Sequence, residues 1–298
     1  MRYFYQAYGL NISSEWEIPL LTSGGDGSDV SIRRGKISGC AGAVLFENEH
    51  YQISSREFLF RVPGIGSFLS ADGKCITADP DPAGQINDIF VYLLGTGMGS
   101  ILYQRGDICL HGSVVKIGEK AVLLTGDSGA GKSTVSSVLC GRGYPFLADD
   151  VAVVRKMEGR VFVYPSYPQK KLWSDAIQSL NVSLQDKARF KIQENEEKYA
   201  LCFAEHFWNS GLELSYLYNL VTDEINSVQI SPVSGIRRMN VLTQNTYRPF
   251  LVKYFGLMEK YFDLCTTISD RVIMYDIRRP RELKTQHHIA ELIIENSV

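Results

Sequence analysis

The stretch Gly126-Asp-Ser-Gly-Ala-Gly-Lys132-Ser133 constrains this 298-residue chain more than any other feature. It satisfies G-x-x-x-x-G-K-[ST], and it lies between an apolar strand-like run, AVLLT, and a segment that reads as a helix start. Glycines let the backbone curl so that successive N–H groups point at phosphate oxygens, and the helix N-terminus adds positive potential. The Lys132 ammonium suits the β- and γ-phosphates, and the Ser133 hydroxyl suits Mg²⁺. The expected nucleotide-binding residues are therefore Gly126, Asp127, Ser128, Gly129, Ala130, Gly131, Lys132, Ser133 and Thr134, with ATP and Mg²⁺ as ligands. The loop does not specify a reaction. The chain has no N-K-x-D guanine reader and no L-S-G-G-Q-like transporter signature, so the flanks must decide.

Downstream, a helix from Lys132 to Gly141 carries the chain about 15 Å from the loop. After an Arg142-Gly143 turn, five extended residues from Tyr144 bring it back about 16 Å. Asp149 and Asp150 are thus expected beside the loop, at the carboxyl end of a parallel neighbouring strand, where open α/β sheets place ligands. Two adjacent carboxylates in an otherwise apolar run, PFLADDVAVV, are costly unless a metal, a cation or a reaction uses them. One aspartate suits Mg²⁺, and the other can serve as a general base for an attacking hydroxyl. Upstream, Gly118-Glu119 reads as a two-residue hairpin turn joining VVKI to KAVLL. Counting back from Ile117 opposite Lys120, the register sets His111 opposite Gly126, at the same end of the sheet as the loop.

Elsewhere the chain reads as α/β with a β-rich front. Short runs such as DVSIRRGKI, YQISS, REFLFRVP and GKCITA, punctuated by glycines, predict a small antiparallel unit that ends near the two prolines at 80 and 82. Apolar residues at helical spacing predict a helix over 85–104, with Gly95, Gly97 and Gly99 marking close packing. Strands are expected at 108–117, 120–125 and 145–148, a further hairpin at 151–155 and 161–163, and a helix at 173–180. The polar stretch QDKARFKIQENEEKY, 185–199, reads as a solvated helix or loop. The tail alternates strand-like LSYLYNLV and RVIMYDI with helical segments near 246–262 and 281–295. A net charge of −2 and a pI near 6.2 argue against a broad nucleic-acid surface. Six widely spaced cysteines show neither metal-ligand nor disulfide spacing. No signal-peptide pattern or membrane-length apolar run is present, so the expectation is a cytoplasmic protein with no membrane partner.

The segment from Leu110 to Asp150, LHGSVVKIGEKAVLLTGDSGAGKSTVSSVLCGRGYPFLADD, resembles the core of the HPr kinase/phosphorylase family. A His-Gly strand, a phosphate loop and an R-G-x-x-x-[L/V]-A-D-D return strand keep that family's spacing together. The resemblance implies a P-loop kinase domain of the HPr kinase and phosphoenolpyruvate carboxykinase type over 83–298, behind a β-rich domain over 1–82. It implies Asp150 as the base that activates a serine hydroxyl, Lys132 as the loop lysine, Ser133 as the Mg²⁺-binding serine and His111 as the family's histidine. Beside these, Asp149 is expected to steady the metal and His111 to polarise or position the phosphate or Asp150. The chain lacks the family's later E-x-R-G-x-G signature, where it reads YPSYPQKKLWSDAI, which puts the family's reverse dephosphorylation in doubt. The N-terminal YFYQAYGLNISSEWEIPLL and the YPQKKLW segment resemble the branch that serves bacterial peptide biosynthetic clusters. Kinases that tailor lasso peptide precursors at a C-terminal serine belong to that branch. The implied partner is a precursor peptide, with a homo-oligomer left open. A small-molecule or HPr-type protein kinase and a nucleotide-sensing module without activity are the alternatives.

Phosphoryl transfer needs cations beyond Lys132. Lys170 and Lys171 qualify, as do Lys187, Arg189, Lys191 and Lys198 if the polar stretch closes as a lid. Arg237, Arg238, Arg278, Arg279 and Arg281 read as surface charge, with the same role as their alternative. Asp175 is a candidate replacement for the missing metal glutamate.

Overall fold

The computed structural model describes residues 1–174, 177, 189–193, 196–281 and 284–297. It groups them into two units: Met1–Cys109 with Arg248–Tyr261, and Leu110–Tyr247 with Phe262–Val298.

The first unit is built on a nine-stranded sheet. Its strands are β1 (Tyr3–Ala7), β2 (Leu10–Ser14), β3 (Thr22–Ser23), β4 (Val30–Arg34), β5 (Val44–Glu47), β6 (Tyr51–Ser54), β7 (Glu57–Val62), β8 (Gly66–Ala71) and β9 (Cys75–Pro80), in the order β3-β1-β2-β4-β9-β8-β7-β6-β5. The β-rich front is present, although β2–β4 and β4–β9 pair in parallel rather than antiparallel fashion. Strand β9 runs through Pro80, the first of the two prolines that suggested a linker.

The helix expected over 85–104 forms as α1 (Ile86–Tyr92), a π-helical turn (Leu93–Gly97) and α2 (Met98–Gln104). The widened turn falls on the LLGTG stretch. A Cβ on Gly97 would make only an ordinary van der Waals contact with Ile76 Cδ1, at 3.4 Å, so close packing against β9 does not by itself require glycine there. The Ser100 hydroxyl donates to Ser70 Oγ at 2.6 Å and Gln104 Nε2 donates to the Ser70 carbonyl at 2.9 Å, fastening α2 to β8. Residues 83–109 therefore pack with the β-rich unit, whereas the sequence reading groups them with 110–298. The helix needs an apolar face to cover, and the sheet provides it in Phe58, Phe60 and Phe68, all essentially buried.

The second unit contains β10 (Ile108–Ile117), β11 (Lys120–Gly126), α3 (Lys132–Gly141), β12 (Phe146–Met157), β13 (Arg160–Tyr164), β17 (Leu212–Asp223), β18 (Gln229–Pro232) and β19 (Ile273–Pro280). Sheet order is β11-β10-β12-β13-β17-β19-β18, and β17 pairs also with β11. The first residues of β17 pair with β13 and the rest run parallel to β11, so five strands close a ring. Side chains from β11 (Val122, Leu124), β17 (Tyr218, Leu220) and β19 (Ile277) meet α3 and α7 (Gln286–Ser297) in one apolar core.

A smaller sheet, β14-β16-β15, is made of β14 (Gln169–Trp173), β15 (Arg189–Gln193) and β16 (Glu196–Cys202). The described part of the 185–199 stretch is thus a β-hairpin rather than a helix or loop: β15 pairs antiparallel with β16, and β16 pairs in turn with β14. The helix expected at 173–180 lies mostly outside the described residues, and Trp173 ends β14. Among the described residues, two helices, α5 (Phe250–Tyr254) and α6 (Met258–Arg271), replace the single segment expected near 246–262, and α4 (Ile236–Gln244) precedes them.

Two details of the α/β reading change. The expected strand at 145–148 and the first arm of the next hairpin are one continuous strand, β12. In addition, β10 stands between β11 and β12, so the aspartates do not sit on a direct neighbour of the loop strand. No helix among the described residues is long and apolar enough to cross a membrane.

In the first unit, Phe60 is 2% exposed and stacks on Phe68 at 4.8 Å between ring centroids. Phe60→Ala is expected to cost about 3–5 kcal/mol, read as a lower midpoint in urea unfolding. A midpoint within error of the parent would show that this stack does not hold the sheet together.

Candidate active site

The Gly118-Glu119 turn sets the register of β10 on β11, with Ile117 opposite Lys120 and Ser113 opposite Leu124. One step further, the Thr125 hydroxyl donates to the His111 carbonyl at 3.2 Å, so His111 lies at the loop end of the sheet as expected. The loop is anchored at its start by Asn245, whose Oδ1 accepts the Gly126 N–H at 2.9 Å and whose carbonyl accepts the His111 N–H at 2.7 Å. Gly126 has φ +132°, and a Cβ there would lie 2.2 Å from the Leu220 carbonyl oxygen, so the parallel pairing with β17 requires glycine. Gly129 (φ +82°) and Gly131 (φ +100°) complete the turn into α3. Lys132 folds back, its Nζ donating to the Gly126 and Asp127 carbonyls at 2.8 and 3.0 Å.

Asp149 and Asp150 both arrive at this place, but they face different partners. The Ser133 hydroxyl lies 2.9 and 3.1 Å from the two Asp149 carboxylate oxygens. Ser113 also donates to that carboxylate, as does the backbone N–H of Lys171 at 2.9 Å. Asp150 has φ +82°, a conformation that L residues rarely adopt within a strand. This breaks the alternation of β12, so two consecutive carboxylates reach one site instead of opposite faces. Lys171 Nζ donates to Asp150 Oδ2 at 2.6 Å. His111 Nδ1 lies 3.0 Å from the Asp150 carbonyl and 3.3 Å from its Oδ1. Both neighbours are acceptors, so the hydrogen belongs on Nδ1 and Nε2 is left as an acceptor in the neutral ring.

Burial pushes the Asp150 carboxyl up, but Lys171 and the His111 hydrogen bond outweigh it and hold the group far below the usual carboxylate range. The Lys171 ammonium moves the other way. Burial lowers it, yet Asp150 and the neighbouring Tyr167 raise it well above an ordinary lysine. Burial also pushes the Tyr167 hydroxyl up. Tyr247 packs against the His111 ring at 6.4 Å between centroids.

The remaining cation candidates separate cleanly. Strand alternation sends Lys170 to the side opposite Lys171, where it is fully buried, bonded to Ser136 Oγ and set 4.4 Å over the Phe146 ring. Arg237 pairs with buried Asp276 at 2.6 Å, Arg238 donates to the Val233 and Val272 carbonyls, and Arg278 pairs with Asp223 at 3.4 Å. Arg279 is not simply surface charge: its Nε donates to the Ala130 carbonyl at 3.0 Å and its Nη2 to the Gly129 carbonyl at 3.4 Å, on the phosphate loop itself. Lys187 and Asp175 lie outside the described residues, and Arg189, Lys191 and Lys198 fall on the β15–β16 hairpin. Asn245 and Tyr247 were not singled out from sequence, because nothing local distinguishes a buried asparagine or tyrosine that acts across more than a hundred residues.

The oxygens of Ser133 and Asp149 form a hard donor pair that suits Mg²⁺, which keeps water and phosphate oxygens as its other ligands beside a nucleotide. Among the described residues, no group of three or more His, Cys, Asp or Glu gathers as a metal cluster. The arrangement can hold a triphosphate on the loop, a hard cation beside it, and an ionised carboxylate next to both.

Residues 105–172 match the family model described as HPr Serine kinase C-terminal domain. The HPr kinase/phosphorylase of Chlorobium luteolum is 47% identical over 55 residues, 18% of this chain and 15% of that protein. The HPr kinase/phosphorylase of Pelodictyon phaeoclathratiforme is 48% identical over 61 residues, 20% of this chain and 17% of that protein. The chain thus spans only 14–17% of the length of the curated relatives it matches. Among solved structures, the Hpr(Ser) kinase/phosphatase from Coxiella burnetii is similar at 13% identity and a TM-score of 0.32, over 63% of this chain and 94% of that one. The similarity in sequence to HPr kinases lies over residues 105–172, which hold the strand, loop and aspartate segment described above.

The Asp150–Lys171 contact makes a testable electrostatic claim. Because the folded carboxyl is held below its unfolded value, the pair stabilises the protein fully above about pH 4 and loses that contribution as pH falls through the folded value. Lys171→Met is expected to cost about 1–3 kcal/mol at pH 7, with the gap to the parent narrowing in acid, measured by thermal unfolding across pH. A gap independent of pH would refute the pairing.

Proposed function

We propose that this chain is an ATP- and Mg²⁺-dependent kinase that phosphorylates a serine hydroxyl of a ribosomally made precursor peptide, as in lasso peptide tailoring at a C-terminal serine. The observation that carries the kinase reading is the placement of two carboxylates at one phosphate loop. Asp149 is bonded to the loop serine, and Asp150 is held ionised between His111 and Lys171. A nucleotide-sensing module has no need of a second, independently partnered carboxylate beside its phosphate site. The family match over residues 105–172 supports the same reading. The choice of a peptide acceptor rests on the resemblance of the N-terminal segment and of YPQKKLW to peptide-cluster kinases.

On this reading the loop amides and Lys132 hold the β- and γ-phosphates, and Ser133 and Asp149 hold the Mg²⁺. When bound, that ion screens phosphate charge. The peptide hydroxyl approaches Asp150, its oxygen forms the new bond to the γ-phosphorus, and the bond to the bridging oxygen breaks to release ADP. The hydroxyl proton passes to the Asp150 carboxylate. Lys171 leans between Asp150 and the incoming phosphoryl oxygens, where a cation offsets charge as it migrates. His111 fixes the rotamer of Asp150 through Nδ1. The six cysteines are all free thiols, in keeping with a cytoplasmic setting.

Mass spectrometry of serine-ending precursor peptides and of small metabolites, incubated with ATP and Mg²⁺, tests the reading. A gain of one phosphate on the peptide is expected, lost with Lys132→Ala. Asp150→Asn should reduce transfer by at least about 100-fold while nucleotide still binds. Phosphate on a metabolite and not on any peptide would move the substrate class. Full transfer by Asp150→Asn would remove the assigned base.

A further inference from the structure

The phosphate loop is held from its outer side by a residue 149 and 150 positions away in sequence from the two carbonyls that it contacts. Arg279 stands near the end of β19, which runs parallel to β17, itself parallel to β11. Ile277, two residues earlier on the same face of β19, lies in the apolar core with α3 and α7. That face directs the Arg279 guanidinium onto the loop where it enters α3. Nε donates to the Ala130 carbonyl at 3.0 Å, Nη2 to the Gly129 carbonyl at 3.4 Å and Nη1 to the Pro280 carbonyl at 3.3 Å. A Cβ on Gly131 would sit 3.9 Å from Nε, so the side chain lies along the loop rather than touching one atom of it.

The far end of α3 is tied to the same C-terminal segment. Arg142 Nη2 donates to Glu291 at 2.9 Å and to the His287 carbonyl at 3.4 Å, both on α7. The segment β19–α7 therefore grips α3 at both ends. Burial and the nearby Arg281 lower the pKa of Arg279, a position that a purely solvated arginine would not experience.

A phosphate loop binds with its N–H groups, so its carbonyls must turn the other way. Glycines at φ +82° and +100° permit that geometry, but they also leave the loop many alternatives when nothing holds it. A two-donor fork on two consecutive outward carbonyls selects the binding conformation before the nucleotide arrives, which lowers the ordering cost of binding. We propose that Arg279 is a positioning residue that presets the phosphate loop for nucleotide by fixing the Gly129 and Ala130 carbonyls. This rests on the nucleotide reading of the loop, not on the identity of the acceptor.

The test is calorimetric titration of the full chain with MgADP and with MgATP, for the parent, Arg279→Gln and Arg279→Lys. Arg279→Gln is expected to weaken both nucleotides about tenfold. Arg279→Lys, which keeps the charge but not the fork, should fall between it and the parent. In kinetics the loss should appear in the KM for ATP more than in kcat. Hydrogen exchange on the nucleotide-free proteins should show faster exchange of the loop amides at 129–131 in Arg279→Gln, and this readout needs no ligand. Unchanged affinity and exchange would overturn the proposal. Loss of ATP affinity with ADP unaffected would also overturn it, because that pattern belongs to a direct γ-phosphate contact. Full rescue by lysine would show that charge alone matters and refute the fork. If the parent itself binds neither nucleotide, the kinase reading falls and this proposal with it. A parent that binds normally beside unaffected variants removes the Arg279 role alone.

Discussion

The carboxylate of Asp149 is the junction on which the site depends. It accepts from Ser133 at the head of α3, from Ser113 on β10 and from the Lys171 backbone on β14, while its own backbone belongs to β12. Four separate elements are therefore fixed relative to one another through one side chain. It is only 5% exposed, and three donors satisfy it, so its burial is compensated rather than strained. Losing this acceptor would leave Ser113, Ser133 and a backbone N–H without a common partner. A cation drawn to the same oxygens would enter a position that the fold has already built.

Asp150 depends on that junction in turn. With Asp149 fixed, ordinary strand geometry would point Asp150 to the other face, away from the loop. Its positive φ turns it back, and the cost of that conformation is offset by Lys171 and His111, which meet it from β14 and β10. Backbone distortion, ion pair and ring hydrogen bond are thus one arrangement. Lys171 takes part twice, through its backbone on Asp149 and its ammonium on Asp150, and so couples the placement of the two aspartates.

Much of this was legible in the sequence, and the limits have physical causes. The loop, the helix after it and the return to Asp149 and Asp150 follow from local lengths, because a helix and a strand of about equal reach bring the chain back to its start. The Gly118-Glu119 turn fixes a register, and a register carries His111 to the correct end of the sheet without further information. Sheet order is a different kind of fact. Nothing in the turn lengths reveals that β10 lies between β11 and β12, because that depends on which edges find partners. The two lysines of QKKLW are indistinguishable until strand alternation is known. Once β14 is seen to be a strand, one lysine must face the core and the other the aspartates. Arg279 fails to stand out for a third reason. An Arg-Arg-Pro-Arg run looks like solvated charge, and only the parallel register of β19 on β17 carries one of its guanidinium groups to the loop.

The low basicity of Asp150 fits the proposed chemistry better than a strong base would. In a loose phosphoryl-transfer transition state the acceptor hydroxyl carries little negative charge, and its proton leaves late. The carboxylate is then needed first as an acceptor that orients the hydroxyl oxygen toward phosphorus, and a group that stays ionised at any physiological pH does this without competition from its own protonated form. A cation that holds it ionised would be a poor neighbour if it stayed fixed, because it would keep drawing charge away from the base. Lys171 sits where it can answer both demands. As phosphoryl oxygens approach, the ammonium can share its charge between them and Asp150, and each step of sharing returns basicity to the carboxylate as the proton begins to move. A Glu or Gln at 171 could not do this, and a Lys at 170 could not reach. On the proposed reading, the single-residue phase of β14 therefore decides whether Asp150 has a cation beside it at all.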